Sequence, residues 1–386
     1  MQRYLALDFI RGFAILGILL LNIVGFGLPS AAYLNPAWQG QISTADAWTW
    51  GIMDALAQLK FLTLFALLFG AGVQLQLPRG SRWLTSRFTW LVLFGFIHTL
   101  FFWEGDILLD YGIIGLIVWR VIRDVSSARS LFQTGVLLYL TGCGVLLVFG
   151  LISSPHGGSG WLPGQADLAW ERHWKLNGGW EAFQQRLDHL TSGLMALASQ
   201  YGWQLAGLMM MGAALMRNGW LKGAFSAQHY RRCAVWLLTL GWLIAVPGVI
   251  AQWQLGWAFR WCGFFLQLPR DLSSPLLSLG YAAICFGWWP QIARWRLSYA
   301  IQCVGRMALS NYLLQTLICT TLFYRFQLFM HFDRLTLLAF VPPVWLINLS
   351  FSVLWLRYFP QGPVEWLWRR LTQHAAGKTT GSARLR

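Results

Sequence analysis

Apolar residues run along this chain in long unbroken stretches, not in the alternating rhythm of a half-exposed strand. Stretches of about 20 residues recur from end to end, each long enough as a helix to cross roughly 30 Å of hydrocarbon. They predict spans at about 5–26, 48–75, 88–103, 107–121, 131–152, 192–216, 234–253, 273–289, 298–323 and 335–356. Segments such as Phe88 to Phe102 and Leu335 to Leu356 are apolar on every face, which predicts helices and not the short strands of a lipid-facing barrel. The predicted fold class is therefore all-α, a polytopic transmembrane bundle of about ten helices. Short connections make consecutive helices antiparallel neighbours.

Two segments interrupt that rhythm. After a turn-rich stretch, Ser153-Ser154-Pro155-His156-Gly157-Gly158, a charged and aromatic region continues to about 191, and it is expected to form an insertion outside the membrane. Its Trp170, Trp174 and Trp180 suit an aromatic belt at the headgroups, with a cap over the bundle as the alternative. From 357 onward, Val364, Trp366, Leu367, Trp368 and Leu371 beside Arg369 and Arg370 predict an interfacial helix, followed by a disordered basic end from Lys378 to Arg386. The domain plan is thus 1–356 for the bundle, carrying the insertion at about 153–191, and 357–386 for the helix and tail. Internal repeats are absent, which disfavours inverted-repeat transporter symmetry.

Composition agrees with a membrane setting: 56% of the 386 residues are hydrophobic and 11% charged, against roughly 25% charged in soluble domains. The net charge of +15 does not point to nucleic acid, because the basic residues lie in short loops on alternate sides. Nineteen of the 29 Lys and Arg fall on the side of the termini, with Arg79, Arg82, Arg217, Arg231 and Arg294 among them, and seven on the other. The positive-inside rule then places both termini in the cytoplasm of a bacterial inner membrane, with membrane lipids as partners. Asp8 and Arg11 interrupt the first apolar stretch, so it is expected to be a retained span and not a cleaved signal. The six cysteines form no CxxC pair, the histidines have no metal-ligand spacing, and Walker, dinucleotide and GxSxG patterns are missing. No metal is expected.

Ionisable groups inside spans are costly and normally face a bundle interior, a partner or a watery cavity. In the first span Asp8, Arg11 and Asn22 share one helical face, with Arg11 and Asn22 roughly 16 Å apart along the axis. His98 lies near the depth of Asn22, close to an acidic hairpin with Glu104, Asp106 and Asp110. A carboxylate beside an imidazole orients it and keeps it basic, so His98 is a candidate general base, oriented by Asp106 or Asp110. The alternative is a hydrogen-bonded histidine that only joins helices. Arg306 matches Arg11 in depth and Lys60 sits deeper. Facing one cytoplasm-open cavity, these three cations would hold phosphates; otherwise they pair internally, Asp8 with Arg11 first. Six residues of continuous helix would put Asp54 and Lys60 on different faces. Asn311, Tyr312 and Gln315 add hydrogen-bonding groups that either contact substrate or join helices. Phe69-Gly70-Ala71-Gly72 reads as close helix packing.

Several stretches together resemble the YeiB family of enterobacterial inner-membrane proteins: Leu7-Asp8-Phe9-Ile10-Arg11-Gly12, Leu67-Leu68-Phe69-Gly70-Ala71-Gly72, Gly95-Phe96-Ile97-His98 with Trp103-Glu104-Gly105-Asp106-Ile107-Leu108, and Gly305-Arg306-Met307-Ala308-Leu309-Ser310-Asn311-Tyr312. That family is described loosely as involved in transport and is similar to the membrane acyltransferases, among them the acyltransferase-3 enzymes and the heparan glucosaminide acetyltransferases. The resemblance implies transfer of an acyl or acetyl group from cytoplasmic acyl-CoA to a small-molecule or glycan acceptor across the membrane. Acyltransferase-3 enzymes carry an arginine and, eleven positions on, a histidine; here these are Arg11 and Asn22. The heparan enzymes carry Arg-Gly with Asn at that offset, as Arg11, Gly12 and Asn22 do, followed by a catalytic histidine in His-x-x-Trp-x-Gly. The matching stretch here is Asn35-Pro36-Ala37-Trp38-Gln39-Gly40. An amide takes no proton at neutral pH, so either His98 replaces that base or the chemistry has been lost.

The functional expectation is acyl-CoA held by Arg11, Arg306 and Lys60, with Asn22, His98, Asp106 and Asp110 at the reacting centre. Glu104, Asn311, Tyr312 and Gln315 would line the substrate. Two other classes stay open: a carrier moving an amphipathic or anionic solute through the same cavity, and a lipid-binding membrane protein without chemistry. Self-association is left open.

Overall fold

A computed structural model describes residues 4–377, so the expected tail Lys378 to Arg386 lies outside the described residues. Every regular element among them is helical. In chain order these are α1 (Leu5–Gly27), α2 (Thr44–Leu56), α3 (Lys60–Gln76), α4 (Ser81–Phe101), α5 (Leu108–Asp124) and α6 (Ala128–Ile152). The inserted pair follows, α7 (Gln165–Asn177) and α8 (Gly179–Ala196), and then α9 (Gly202–Arg217), α10 (Ala227–Gln254), α11 (Gln267–Gly287) and α12 (Trp289–Ile292). The chain closes with α13 (Arg296–Arg306), α14 (Ala308–Thr320), α15 (Arg334–Leu338), α16 (Val341–Tyr358) and α17 (Pro363–Ala375). The fold is an all-α bundle.

Among the described residues six segments are long and apolar enough to cross a membrane: Leu5–Gly27, Thr44–Arg79, Ser81–Phe101, Ala128–Ile152, Ala227–Gln254 and Arg334–Tyr358. The other expected spans correspond to helices that are shorter (α5, α9), interrupted (α13 and α14), or charged near one end (α11). Interior helices can carry those features because neighbours, and not lipid, satisfy them. Along its apolar window α1 is 78% buried, against 22% for α10. The first helix is therefore the bundle's centre and α10 an outer wall.

Close backbone crossings hold α1 in place. A Cβ built on Gly12 would come 2.0 Å from the Ile301 carbonyl oxygen, and one on Gly305 1.8 Å from that of Asp8, so α1 and α13 touch backbone to backbone. At α3 and α9 the crossing is the same in kind, with Gly70 against Met209 and Gly212 against Leu67. Small residues at such crossings replace the hydrophobic drive that lipid does not supply. The expected packing role of the Phe69-to-Gly72 stretch thus rests on Gly70, whereas nothing lies within 4 Å of a Cβ on Gly72.

The predicted continuous second and ninth spans are each broken. Between α2 and α3, Leu59 adopts a left-handed conformation (φ 63°). The turn lets the Lys60 ammonium donate to the Asp54 carbonyl oxygen at 2.6 Å. Six residues of continuous helix would have kept the two apart. Between α13 and α14 the break falls at Met307, where Asn311 Nδ2 donates to the Val304 and Met307 carbonyls at 3.4 and 3.0 Å. Each break is tolerated because a polar side chain satisfies the backbone groups it frees.

The 153–191 insertion packs as a cap. Trp174 is buried, whereas Trp170 and Trp180 are exposed. Helix α17 lies against α4: Trp368 Nε1 donates to the Arg87 carbonyl at 2.8 Å and Ser86 Oγ to that of Thr372 at 3.2 Å.

Candidate functional site

Two cavities lie end to end inside the bundle. The first, 440 Å³, is lined near the cap by Asn22, Trp103, Asp106, Asp110 and His189, and deeper by Tyr139, Tyr201, Gln204 and Asp271. The second, 270 Å³, opens toward α17 and is lined by Arg11, Arg87, Arg306, Tyr312, Glu365 and Trp368. Ile107 and Tyr111, one turn apart at the start of α5, belong to both walls. That turn is pinned on two sides: the Ile107 N–H donates to Tyr312 Oη at 3.3 Å, and Tyr111 Oη to the Leu62 carbonyl at 3.1 Å.

All three carboxylates of the expected acidic hairpin, Glu104, Asp106 and Asp110, line the first cavity. Asp106 Oδ1 lies 2.7 Å from His98 Nδ1, while its Oδ2 accepts the Leu109 N–H at 2.8 Å and so caps α5. His98 Nε2 lies 3.0 Å from Thr316 Oγ1. The histidine is buried behind Asp106 and lines neither cavity, so Asp106 is the group that presents this pair to the space. Asp110 accepts from the Tyr201 hydroxyl. Asp271, at the far wall, accepts from Gln204 Nε2 at 2.7 Å.

Glu104 is not free for a ligand. It pairs with Lys175 Nζ of the cap at 2.9 Å and lies 3.8 Å from Arg186. The hairpin looked isolated from cations in sequence, and the cap supplies them in space. Lys175 also meets Glu171 at 3.0 Å, and Glu171 accepts from both the backbone N–H and the hydroxyl of Ser30. Burial alone would raise the Glu104 carboxyl, but Lys175 and Arg186 hold it below its ordinary range. Burial would likewise lower Lys175, and the facing Glu104, Tyr324 and Glu171 hold it above its ordinary value.

At the α17 end, Arg11 is paired with Asp8 at 3.2 Å, and Arg306 donates to the Pro360 carbonyl at 3.1 Å. Arg87 lies over the Trp368 ring, 3.4 Å from its centroid. Glu365 accepts the N–H groups of Leu309 and Ser310 at 2.8 and 3.0 Å, together with the Ser310 hydroxyl. Burial pushes its carboxyl above the ordinary range, and these donors oppose the shift.

The structure brings Arg11 and Arg306 to one cavity but separates Lys60 from them. Lys60 sits wholly buried on the Asp54 carbonyl, beside the Arg270–Asp54 ion pair at 2.5 Å. Asn311, also expected at substrate, is spent on the helix break and on Ser352 Oγ at 2.8 Å, and it accepts from Asn348. Gln315 donates to the Ile15 carbonyl at 3.3 Å. Asn35, the position matching the catalytic histidine of the heparan enzymes, bonds the Trp161 carbonyl and the Ala37 N–H and lines neither cavity. Sequence reasoning missed Arg87, Glu365, Gln204 and Asp271. The single carboxylate in an otherwise basic α17 was the available signal for Glu365. Arg270 and Asp271 stood just outside the expected span. Among the described residues no group of three or more His, Cys, Asp or Glu could hold a metal.

A bundle of apolar helices with a polar, two-chambered interior defines a multi-pass α-helical membrane protein. Comparison with known proteins sharpens that class. The chain is 63% identical over 377 residues to the uncharacterised protein YeiB of Escherichia coli, covering 98% of both chains. It is 27% identical to the uncharacterised protein YxaH of Bacillus subtilis, over 96% of this chain and 94% of that one. An uncharacterised 39.9 kDa protein from the amylase 3′ region of Bacillus acidopullulyticus is also 27% identical, with the same coverage. The family described as a protein of unknown function (DUF418) matches residues 215–375. This chain belongs to the YeiB family. No solved structure matches it.

Proposed function

We propose that the protein transfers an acyl or acetyl group from acyl-CoA, entering at the α17 end, to an acceptor held in the cavity under the cap, within a bacterial inner membrane. The observation that carries this reading is the pair of cavities sharing the wall formed by Ile107 and Tyr111. One presents three arginines, Arg11, Arg87 and Arg306, suited to coenzyme phosphates. The other presents Asp106, Asp110 and Asn22, suited to a hydroxyl or amine acceptor. Asp106 takes the acceptor's proton, and His98 behind it orients that carboxylate and shares the charge. Asn22 donates to the carbonyl under attack; the thioester carbon–sulfur bond then breaks, and the coenzyme A thiolate takes up the proton held on Asp106 and leaves as the thiol. Lys60, Asn311 and Gln315 hold the fold around the cavities.

Labelled acetyl-CoA incubated with the purified protein and a cell-envelope extract tests the reading. Label should move to an acceptor, and Asp106→Asn should slow transfer at least about a hundredfold, the scale of a lost general base. Absence of both transfer and coenzyme A binding overturns it.

One observation favours a second reading, a carrier without chemistry: both His98 ring nitrogens are engaged, by Asp106 and Thr316, so neither nitrogen of His98 is presented to a cavity. Proton-coupled movement would use the same Asp106–His98 pair. Solute uptake into proteoliposomes without acyl-CoA, abolished by His98→Ala, selects the carrier.

A further inference from the structure

A third hollow lies outside both chambers, between the start of α4 and the face of α17. It encloses 1240 Å³ and takes Arg79, Arg82 and Trp83 from one side and Arg369, Arg370 and His374 from the other. Among its described lining residues none is acidic. All four arginines are solvent-exposed, and Arg79 and Arg369 are close enough to repel each other. The two elements are nonetheless fastened together, by the Trp368 bond to the Arg87 carbonyl and the Ser86 bond to that of Thr372. Like charges clamped on facing walls are unfavourable alone and become favourable around an anion, since each guanidinium fork matches phosphate oxygens.

The surroundings indicate where that anion comes from. Trp366 and Leu367 of α17 are exposed, and the Arg370 guanidinium rests over the Trp366 ring at 5.3 Å. Arg79 stacks over Trp83 at 4.6 Å in the same way. Tryptophans with arginines beside them are characteristic of headgroup depth, where the ring lies among acyl chains and the cation among phosphates. A soluble anion would have no use for that apolar rim.

We propose that this cleft is a binding site for the phosphate headgroup of an anionic phospholipid in the leaflet at the α17 end, with a headgroup carrying two phosphates preferred over one. Arg82 on one wall and Arg369 and Arg370 on the other provide guanidinium groups for two phosphates. Occupancy would brace α17, and with it Trp368 and Glu365 in the wall of the second chamber. The proposal does not depend on what that chamber does.

The test is lipid retention by the full chain. Protein in neutral detergent is offered equal amounts of a two-phosphate anionic phospholipid and a zwitterionic phosphatidylethanolamine, and the bound ratio is read by mass spectrometry. The wild type should favour the anionic lipid, and rising salt should erode the preference. A basic residue near an anionic surface gives on the order of a fivefold preference, so Arg82→Gln with Arg369→Gln should lower the ratio roughly thirtyfold. Both side chains are exposed, so the variant is expected to fold; a single Arg369→Gln, expected near a fivefold drop, serves if it does not. Absence of an anionic preference, or an unchanged ratio in whichever variant folds, overturns the proposal. Displacement of the lipid by micromolar coenzyme A also overturns it, by assigning the cleft to a soluble nucleotide.

Discussion

Lys175 is the perturbation that separates a structural cap from a decorative one. Its side chain is 1% exposed, and the ammonium stands 2.9 Å from Glu104 and 3.0 Å from Glu171, with the Phe329 ring 4.9 Å away. Lys175→Met keeps most of the side-chain volume and removes the charge, leaving two carboxylates of 10% and 16% exposure without their shared cation. Breaking a buried pair from one side costs about 3–5 kcal/mol, because the remaining charge is stranded in a poor solvent. Arg186 lies 3.8 Å from Glu104 and softens the loss on that side, which places the expected cost near the lower bound, about 3 kcal/mol. The cost should fall on docking of α7 and α8, since Ser30 is held through Glu171 and the hairpin through Glu104. Amide hydrogen exchange across 165–196 reads it directly: about 3 kcal/mol is more than a hundredfold loss of protection there. Adding Glu104→Gln to Lys175→Met should return part of that protection, because the stranded charge is then gone. Refutation would be a Lys175→Met variant within threefold of wild-type protection, or a double variant worse than the single.

Acid should release the same cap. Glu104 is held below its ordinary range, so its ionised form stabilises docking above about pH 4.5, and that contribution is lost as pH falls through the lowered value. Lys175 is held above its ordinary 10.5, so its contribution is complete below that pH and disappears only at strongly alkaline values. Exchange protection of α7, corrected for intrinsic rate, should therefore be flat from about pH 5 to 10 and drop below about pH 4; a loss centred near pH 7 would contradict the assignment. Two glycines separate packing from cavity lining within one stretch. Gly70→Ala would place a methyl 1.8 Å from the Met209 oxygen and should lower stability by about 1–3 kcal/mol or more, read as lost folded yield, whereas Gly72→Ala meets nothing within 4 Å and should leave yield unchanged.

The helical class was legible because it follows from lengths and apolar content alone. The first break was not legible, since 54–60 carries neither Gly nor Pro, and at the second Gly305 already had a packing role against Asp8. Leu59 is held left-handed because Lys60 reaches back to Asp54, and the break at Met307 is held because Asn311 covers the carbonyls of Val304 and Met307. Arg11 and Arg306, expected at one depth, line one cavity, since the break at Met307 falls only after Arg306. For Lys60 the same reckoning failed: a break rotates everything beyond it, and its charge joined the buried group of Asp54, Arg270 and Asp271. The cations for Glu104 come from α7 and α8, more than 70 residues away, and local charge pattern cannot report a partner at that separation.

That difference also decides which sequence-level candidates can act together. Asn22 and Arg11 lie on one helix but in separate cavities, so no ligand confined to one of them meets both. A reaction or a passage involving both must cross the turn bearing Ile107 and Tyr111, whose two clasps are hydrogen bonds to Tyr312 and Leu62. Neutral bonds of this kind contribute only about 0.5–1.5 kcal/mol each. Rearranging both lies within the few kcal/mol that a bound ligand can supply through differential affinity. Two such bonds form a wall that differential ligand binding can open. Chemistry and carriage both require that property, and so the distinction between them must come from assays of the acyl donor and not from the shape of the cavities.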